Sequence, residues 1–173
     1  CLQVVIGDNH GLNTLKHQPA KLAAIEGHWE TNRDHAMPLL LFAIPDMENE
    51  RNTIELGIPY LGSLILTHSM EGQVTGLKDF AAEDRPNVPI VFWSFRVMVS
   101  LGMLMVLLSL TALWLRKKGS LYESSWFHKF AIIMGPTGYV ALLAGWVTTE
   151  VGRQPWVVYG VMRTRDGLSH SVT

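Results

Sequence analysis

Arg96 and Met98 stand two residues apart near the start of an apolar run from Pro89 to Leu115. That run is about 27 residues, enough to cross the roughly 30 Å hydrocarbon core of a bilayer. An ionisable side chain inside a spanning segment is costly, so it marks a functional site or reaches for the boundary. The Met98 thioether is of a type that ligates haem iron. Ser94, Met98, Gly102, Met105 and Ser109 share one helical face by their spacing of four and three. Small residues beside a methionine leave room for a flat macrocycle, or equally for a neighbouring helix. Arg96 points about 200° away from Met98 on a regular helix. From that shallow depth its guanidinium would reach a haem propionate or a lipid phosphate.

Two further groups carry usable chemistry. On a second apolar run, Trp146 and Glu150 lie one turn apart, with Arg153 three residues beyond Glu150. Glu150 either pairs with Arg153 or serves as an oxygen donor to iron or a carrier of protons. In the polar stretch before the first run, Gln18, Lys21 and Glu26 offer an amide, a cation and a carboxylate beside a hydrophobic helix face. Oxidising a hydroquinone releases protons, and a carboxylate acceptor with hydrogen-bond partners for the ring oxygens suits that reaction. Ordinary solvated charges satisfy the same residues. Lys21 and Glu26 sit about 140° apart on a regular helix, so they converge only through long side chains or a bend.

The elements that must position these groups are helices in a membrane. The chain has 173 residues, of which 48% are hydrophobic and 17% charged, and the charges are segregated. Residues 7–88 are polar and rather acidic; residues 89–149 are apolar except for one basic connector. A net charge of −1 and the lack of a basic, aromatic-interleaved patch argue against a nucleic-acid partner. A single cysteine, Cys1, excludes an internal disulfide framework and a cysteine-rich metal cluster. None of the seven histidines (10, 17, 28, 35, 68, 128 and 170) lies in the middle of a span or at metal-ligand spacing within one. No nucleophile elbow, phosphate loop or zinc signature is present.

The expected architecture is all-α, with polytopic membrane helices and a large outer loop. Residues 1–6 read as the end of a transmembrane helix, 7–88 as the outer loop and 89–115 as a span. Residues 116–126 follow as a connector, 127–149 as a second span and 150–173 as another outer segment. Gly135-Pro136 should kink or unwind the second span. The cationic Arg116-Lys117-Lys118, with Lys129 nearby, puts the connector on the cytoplasmic side and both polar segments outside. Trp93, Trp114, Trp126 and Trp146 fit interfacial belts. Within the loop, Leu22, Ile25 and Trp29 recur at helical spacing after Pro19. Ile54 to Met70 is apolar but broken by Gly57, Pro59 and Gly62, as an interfacial segment would be. The opening lacks the features of a signal peptide, and Ser169-His170-Ser171-Val172-Thr173 stops without a cap. The chain thus reads as an internal piece of a larger polytopic protein.

Three motifs, in this order, resemble subunit I of cytochrome bd quinol oxidase: Lys21-Leu22-Ala23-Ala24-Ile25-Glu26, Trp93-Ser94-Phe95-Arg96-Val97-Met98, and Glu150-Val151-Gly152-Arg153-Gln154-Pro155-Trp156. The resemblance covers essentially the whole chain, and Gly152 to Trp156 is its most specific part. The loop between Gly7 and Val88 looks like the short form of the family's quinol-binding loop, as in the cyanide-insensitive branch. The resemblance implies quinol oxidation at the outer, periplasmic face of the bacterial inner membrane, coupled to reduction of dioxygen to water. It implies a low-spin haem b, a high-spin haem b and a third haem, d or a b-type replacement. By motif match Met98 is an axial ligand of the low-spin haem and Arg96 contacts a propionate. Glu150 serves the high-spin haem, Trp146 lies between cofactors and Arg153 belongs to the cofactor-binding group. Gln18, Lys21 and Glu26 belong to the quinol site. A second oxidase subunit and the lipid bilayer are the implied partners. The family's haem-ligating histidines lie on earlier helices, so this stretch by itself should not run the full reaction.

Two rivals come from other classes. One is a non-enzymatic membrane fragment or assembly module that keeps the motifs and binds no haem by itself. The other is a transporter with Arg96 and Glu150 on a polar path, against which stands the lack of paired broken helices in two similar halves.

Overall fold

The computed structural model describes residues 2–32, 36–69 and 72–167. Cys1, His35, Met70 and residues 168–173, His170 among them, lie outside the described residues. The chain divides into two compact units: residues 1–92 with 148–173, and residues 93–147.

In the first unit, α1 (Leu2–His17) continues the opening apolar stretch as one helix well past Ile6. Helix α2 (Pro19–Glu26) starts on proline, whose fixed φ and missing N–H suit a first turn. It ends on Gly27, at φ 66°, where the amide N–H of Gly27 donates to Ala24 and that of His28 to Ala23. This is the two-bond closure that a left-handed glycine permits. The helix is apolar nearly all round and is buried accordingly, Ala23 and Ala24 completely. Leu22, Ile25 and Trp29 are all buried, as their spacing predicts.

The expectation of an all-helical chain needs correcting here. Strands β1 (Leu39–Asp46) and β2 (Arg51–Ile58) form an antiparallel hairpin. Asp46 closes it by accepting from the backbone N–H groups of Glu48 and Asn49 at 2.9 and 3.1 Å. The run Leu39 to Ile44 is short and continuously apolar, a pattern that does not separate strand from buried helix. The apolar stretch from Ile54 to Met70, described as far as Ser69, is not a single element. It is the end of β2, a turn, and the short helix α3 (Leu61–Thr67).

Leu22 of α2 packs with Met37, Leu66 and Val74, while Leu40 and Ala43 of β1 pack with Phe92. Asn52 ties the hairpin to the helix end: it accepts from Trp29 Nε1 and donates to the Gly27 carbonyl, both at 3.0 Å. The return segment bonds to the same stretch through Leu77 N–H to the His28 carbonyl and Lys78 N–H to the Trp29 carbonyl. Gly76 is needed there, because a Cβ would meet the Glu30 backbone at 2.4 Å. Residues 150–167 add a second small hairpin, β3 (Trp156–Val158) with β4 (Met162–Arg163). Arg163 anchors it on Glu83 and Asp84 at 3.2 and 2.7 Å.

Helix α4 (Val88–Lys117) is 30 residues long, about 45 Å at 1.5 Å per residue. Its apolar side chains are exposed around its circumference, as a lipid-facing span requires. It ends on Gly119, at φ 73°, with the same two-bond closure seen at Gly27. The second apolar run is broken as Gly135-Pro136 predicts, into α5 (Ser125–Met134) and α6 (Thr137–Arg153). Both runs are long and apolar enough to cross a membrane. Trp93, Trp114, Trp126 and Trp146 are all exposed, and the Lys118 ammonium lies 3.8 Å above the Trp114 ring.

Candidate functional site

A small cleft in the first unit gathers residues from three distant parts of the chain. Gln18, Ala20 and Lys21 come from the start of α2, Asp84 and Pro86 from the return segment, and Gly152 to Gln154 with Trp156 and Tyr159 from the end of α6 and beyond. The Lys21 stem lies on Gly152: a Cβ there would stand 3.2 Å from its Cγ and Cε. The Lys21 ammonium donates to the Thr149 carbonyl at 3.4 Å, near the negative end of the α6 dipole. Burial pushes Lys21 below its usual 10.5, the nearby Arg153 charge adds to that, and Glu150 opposes it. The cleft therefore holds an amide, a lysine that gives up its proton more readily than a solvated one, and a guanidinium.

Glu150 and Arg153 form an ion pair one turn apart, each with its side chain more than two-fifths exposed. Opposite them, Asp84 accepts from Arg163, and the Arg163 guanidinium lies 5.1 Å above the Trp156 ring. Thr164 Oγ1 donates to Gln154 Oε1 at 2.6 Å, fixing that amide. Of the three residues expected to act together in the loop, Gln18 and Lys21 line the cleft. Glu26 is not among its lining and is buried at the end of α2. The 140° between Lys21 and Glu26 is kept, because α2 is a regular helix without a bend.

The second unit holds the methionine face. Met98 is half-buried, and a Cβ on Gly145 of α6 would come within 2.8 Å of its sulfur. Seven residues along, Met105 faces Gly138 in the same way, at 3.6 Å. Gly102, between the two methionines, has open space where a Cβ would stand. Arg96 lies 5.4 Å from the Phe95 ring centroid, and Trp146 is largely exposed. Among the described residues no three His, Cys, Asp or Glu side chains gather into a metal site.

Asp84, Gly152, Gln154 and Tyr159 were not singled out as site residues by sequence reasoning. Gly152 and Gln154 lay within the most specific motif, whereas nothing local marks Asp84 or Tyr159.

The family model described as cytochrome bd terminal oxidase subunit I matches residues 1–173. Cytochrome bd ubiquinol oxidase subunit 1 of Bacillus subtilis (strain 168) is 38% identical over 168 residues, covering 92% of this chain and 36% of the relative. Cytochrome bd-II ubiquinol oxidase subunit 1 of Escherichia coli (strain K12) is 29% identical over 233 residues, covering 97% of this chain and 45% of the relative. The bd oxidase structure from Geobacillus thermodenitrificans superposes with a TM-score of 0.73 at 35% identity, covering 96% of this chain and 38% of that one. The chain spans less than half the length of each of these relatives. It belongs to the cytochrome bd terminal oxidase subunit I family.

Proposed function

We propose that this chain is the part of the catalytic subunit of a terminal oxidase that takes electrons from quinol and passes them to haem for reduction of dioxygen to water. Supporting the reading is the cleft, which joins Gln18 and Lys21 to Gly152, Arg153 and Gln154 of the motif most specific to the family. A hydroquinone needs hydrogen-bond partners at its ring oxygens and somewhere for its protons to go. The Gln18 amide donates and accepts, and Lys21, held partly desolvated, can orient an oxygen. Glu26, which the family resemblance assigns to the quinol site, lies outside this cleft and would act as a proton acceptor only from the far end of α2.

The long apolar helices would hold haem. Met98 would supply the axial sulfur to a low-spin haem b and Arg96 the cation for a propionate. Glu150 would serve the high-spin haem b, with Trp146 between cofactors and Arg153 holding the carboxylate in place. The haems, the third being d or a b-type replacement, supply the one-electron and oxygen chemistry. The connector 116–126 would face the cytoplasm and the segments 7–88 and 150–173 the periplasm, in the inner membrane beside a second subunit. The alignment with the Escherichia coli relative extends over 233 residues, more than this chain's 173, so that relative carries residues absent here.

A photoreactive quinone analogue, applied to the intact oxidase, tests the reading. Cross-linked peptides should contain residues 18–21 or 152–156, and labelling confined to other peptides contradicts it.

A further inference from the structure

We infer that Gly152 is the positioning residue for Lys21: the side chain it lacks is the seat on which the Lys21 stem lies. Three observations carry this. Gly152 is buried, and the atoms nearest its absent Cβ are Lys21 Cε and Cγ at 3.2 Å and Cδ at 3.5 Å. With its stem on Gly152, Lys21 reaches the Thr149 carbonyl at 3.4 Å, across 128 residues of sequence. Gly152 sits in the last turn of α6 with ordinary helical backbone, where glycine is disfavoured against alanine, so its conformational freedom does not explain it. A Cβ at 152 stands too close to the lysine methylenes, and a branched side chain takes their place outright. The lysine is a flexible chain, so it swings away while the helix stays. Arg153 and Glu150 then lose Lys21 as the third member of their charge group.

Gly152, itself part of the cleft wall, would thereby set the quinol affinity of the cleft through Lys21. This consequence rests on the quinol reading above, whereas the placement of Lys21 does not.

The test uses the full-length oxidase purified with its partner subunit, as wild type and Gly152→Val. Competitive amine acetylation across a pH series, read by mass spectrometry, gives the pH midpoint of Lys21 labelling against exposed Lys16 as reference. The expected result is a Lys21 midpoint that is higher in Gly152→Val than in wild type. A midpoint that does not move overturns the inference. If Gly152→Val fails to assemble with haem, Gly152→Ala should move the midpoint in the same direction by less, since its Cβ displaces the stem by only a few tenths of an ångström, and no movement there overturns the inference. In parallel, the KM for a short-chain quinol should rise by about tenfold with the haem spectrum unchanged. That rise should vanish in a Lys21→Ala background. A moved midpoint with an unchanged KM keeps the placement and counts against the quinol reading instead.

Discussion

Met98 and Gly145 face each other so closely that a single added carbon on the glycine would stand 2.8 Å from the methionine sulfur. The sulfur thus occupies space that any larger residue at 145 would claim. Gly145→Val should cost about 1–3 kcal/mol through overpacking. In the intact oxidase it should also lower the low-spin haem b signal in a reduced-minus-oxidised spectrum, with Gly145→Ala intermediate. An unchanged spectrum in Gly145→Val would separate this contact from haem binding.

Met98→Leu separates ligation from packing at the same place. The two side chains have similar volumes, and such a swap in a packed region costs less than about 1.5 kcal/mol. Loss of the low-spin haem signal with the protein still assembled is expected if the thioether ligates iron. A full signal would reduce Met98 to a packing residue.

Asn52 holds the loop together through side-chain bonds to Trp29, Gly27 and Glu55. In Asn52→Ala the buried Trp29 N–H loses its acceptor, which costs about 1–3 kcal/mol. Limited proteolysis of the intact oxidase should cut faster within residues 39–58 in this variant, with the haem spectrum preserved.

His28 gives the loop an acid sensitivity. Burial pushes its imidazole below the usual 6.5, with the Glu55 carboxylate pulling weakly the other way. Between that lowered value and 6.5 the unfolded chain binds more protons than the folded one, so stability rises with pH across the window. The contribution is complete above 6.5 and is lost as pH falls toward the folded value. Loop proteolysis should therefore accelerate between about pH 7.5 and 5.5 in wild type and less so in His28→Gln.

Much of this was legible in local sequence. Pro19, the apolar spacing of Leu22, Ile25 and Trp29, and the Gly135-Pro136 break each act within a turn or two of helix. Their outcomes, α2 and the α5–α6 interruption, follow from them. The hairpin was not legible, because Leu39 to Ile44 carries no alternation. What makes it a strand is its pairing with residues 51–58 and its contact with Phe92. The cleft was legible only in part. Lys21 and Arg153 could be named as charged groups, but their meeting depends on a contact spanning most of the chain. Asp84 enters through Arg163, a partner 79 residues away that no local pattern announces.

Entry of electrons from quinol at the cleft containing Lys21 is tested most directly by anaerobic stopped-flow reduction of the haems. In Lys21→Ala, quinol should reduce low-spin haem b about tenfold or more slowly than in wild type, while dithionite still reduces it to full amplitude. Reduction by quinol at the wild-type rate would place the entry point elsewhere.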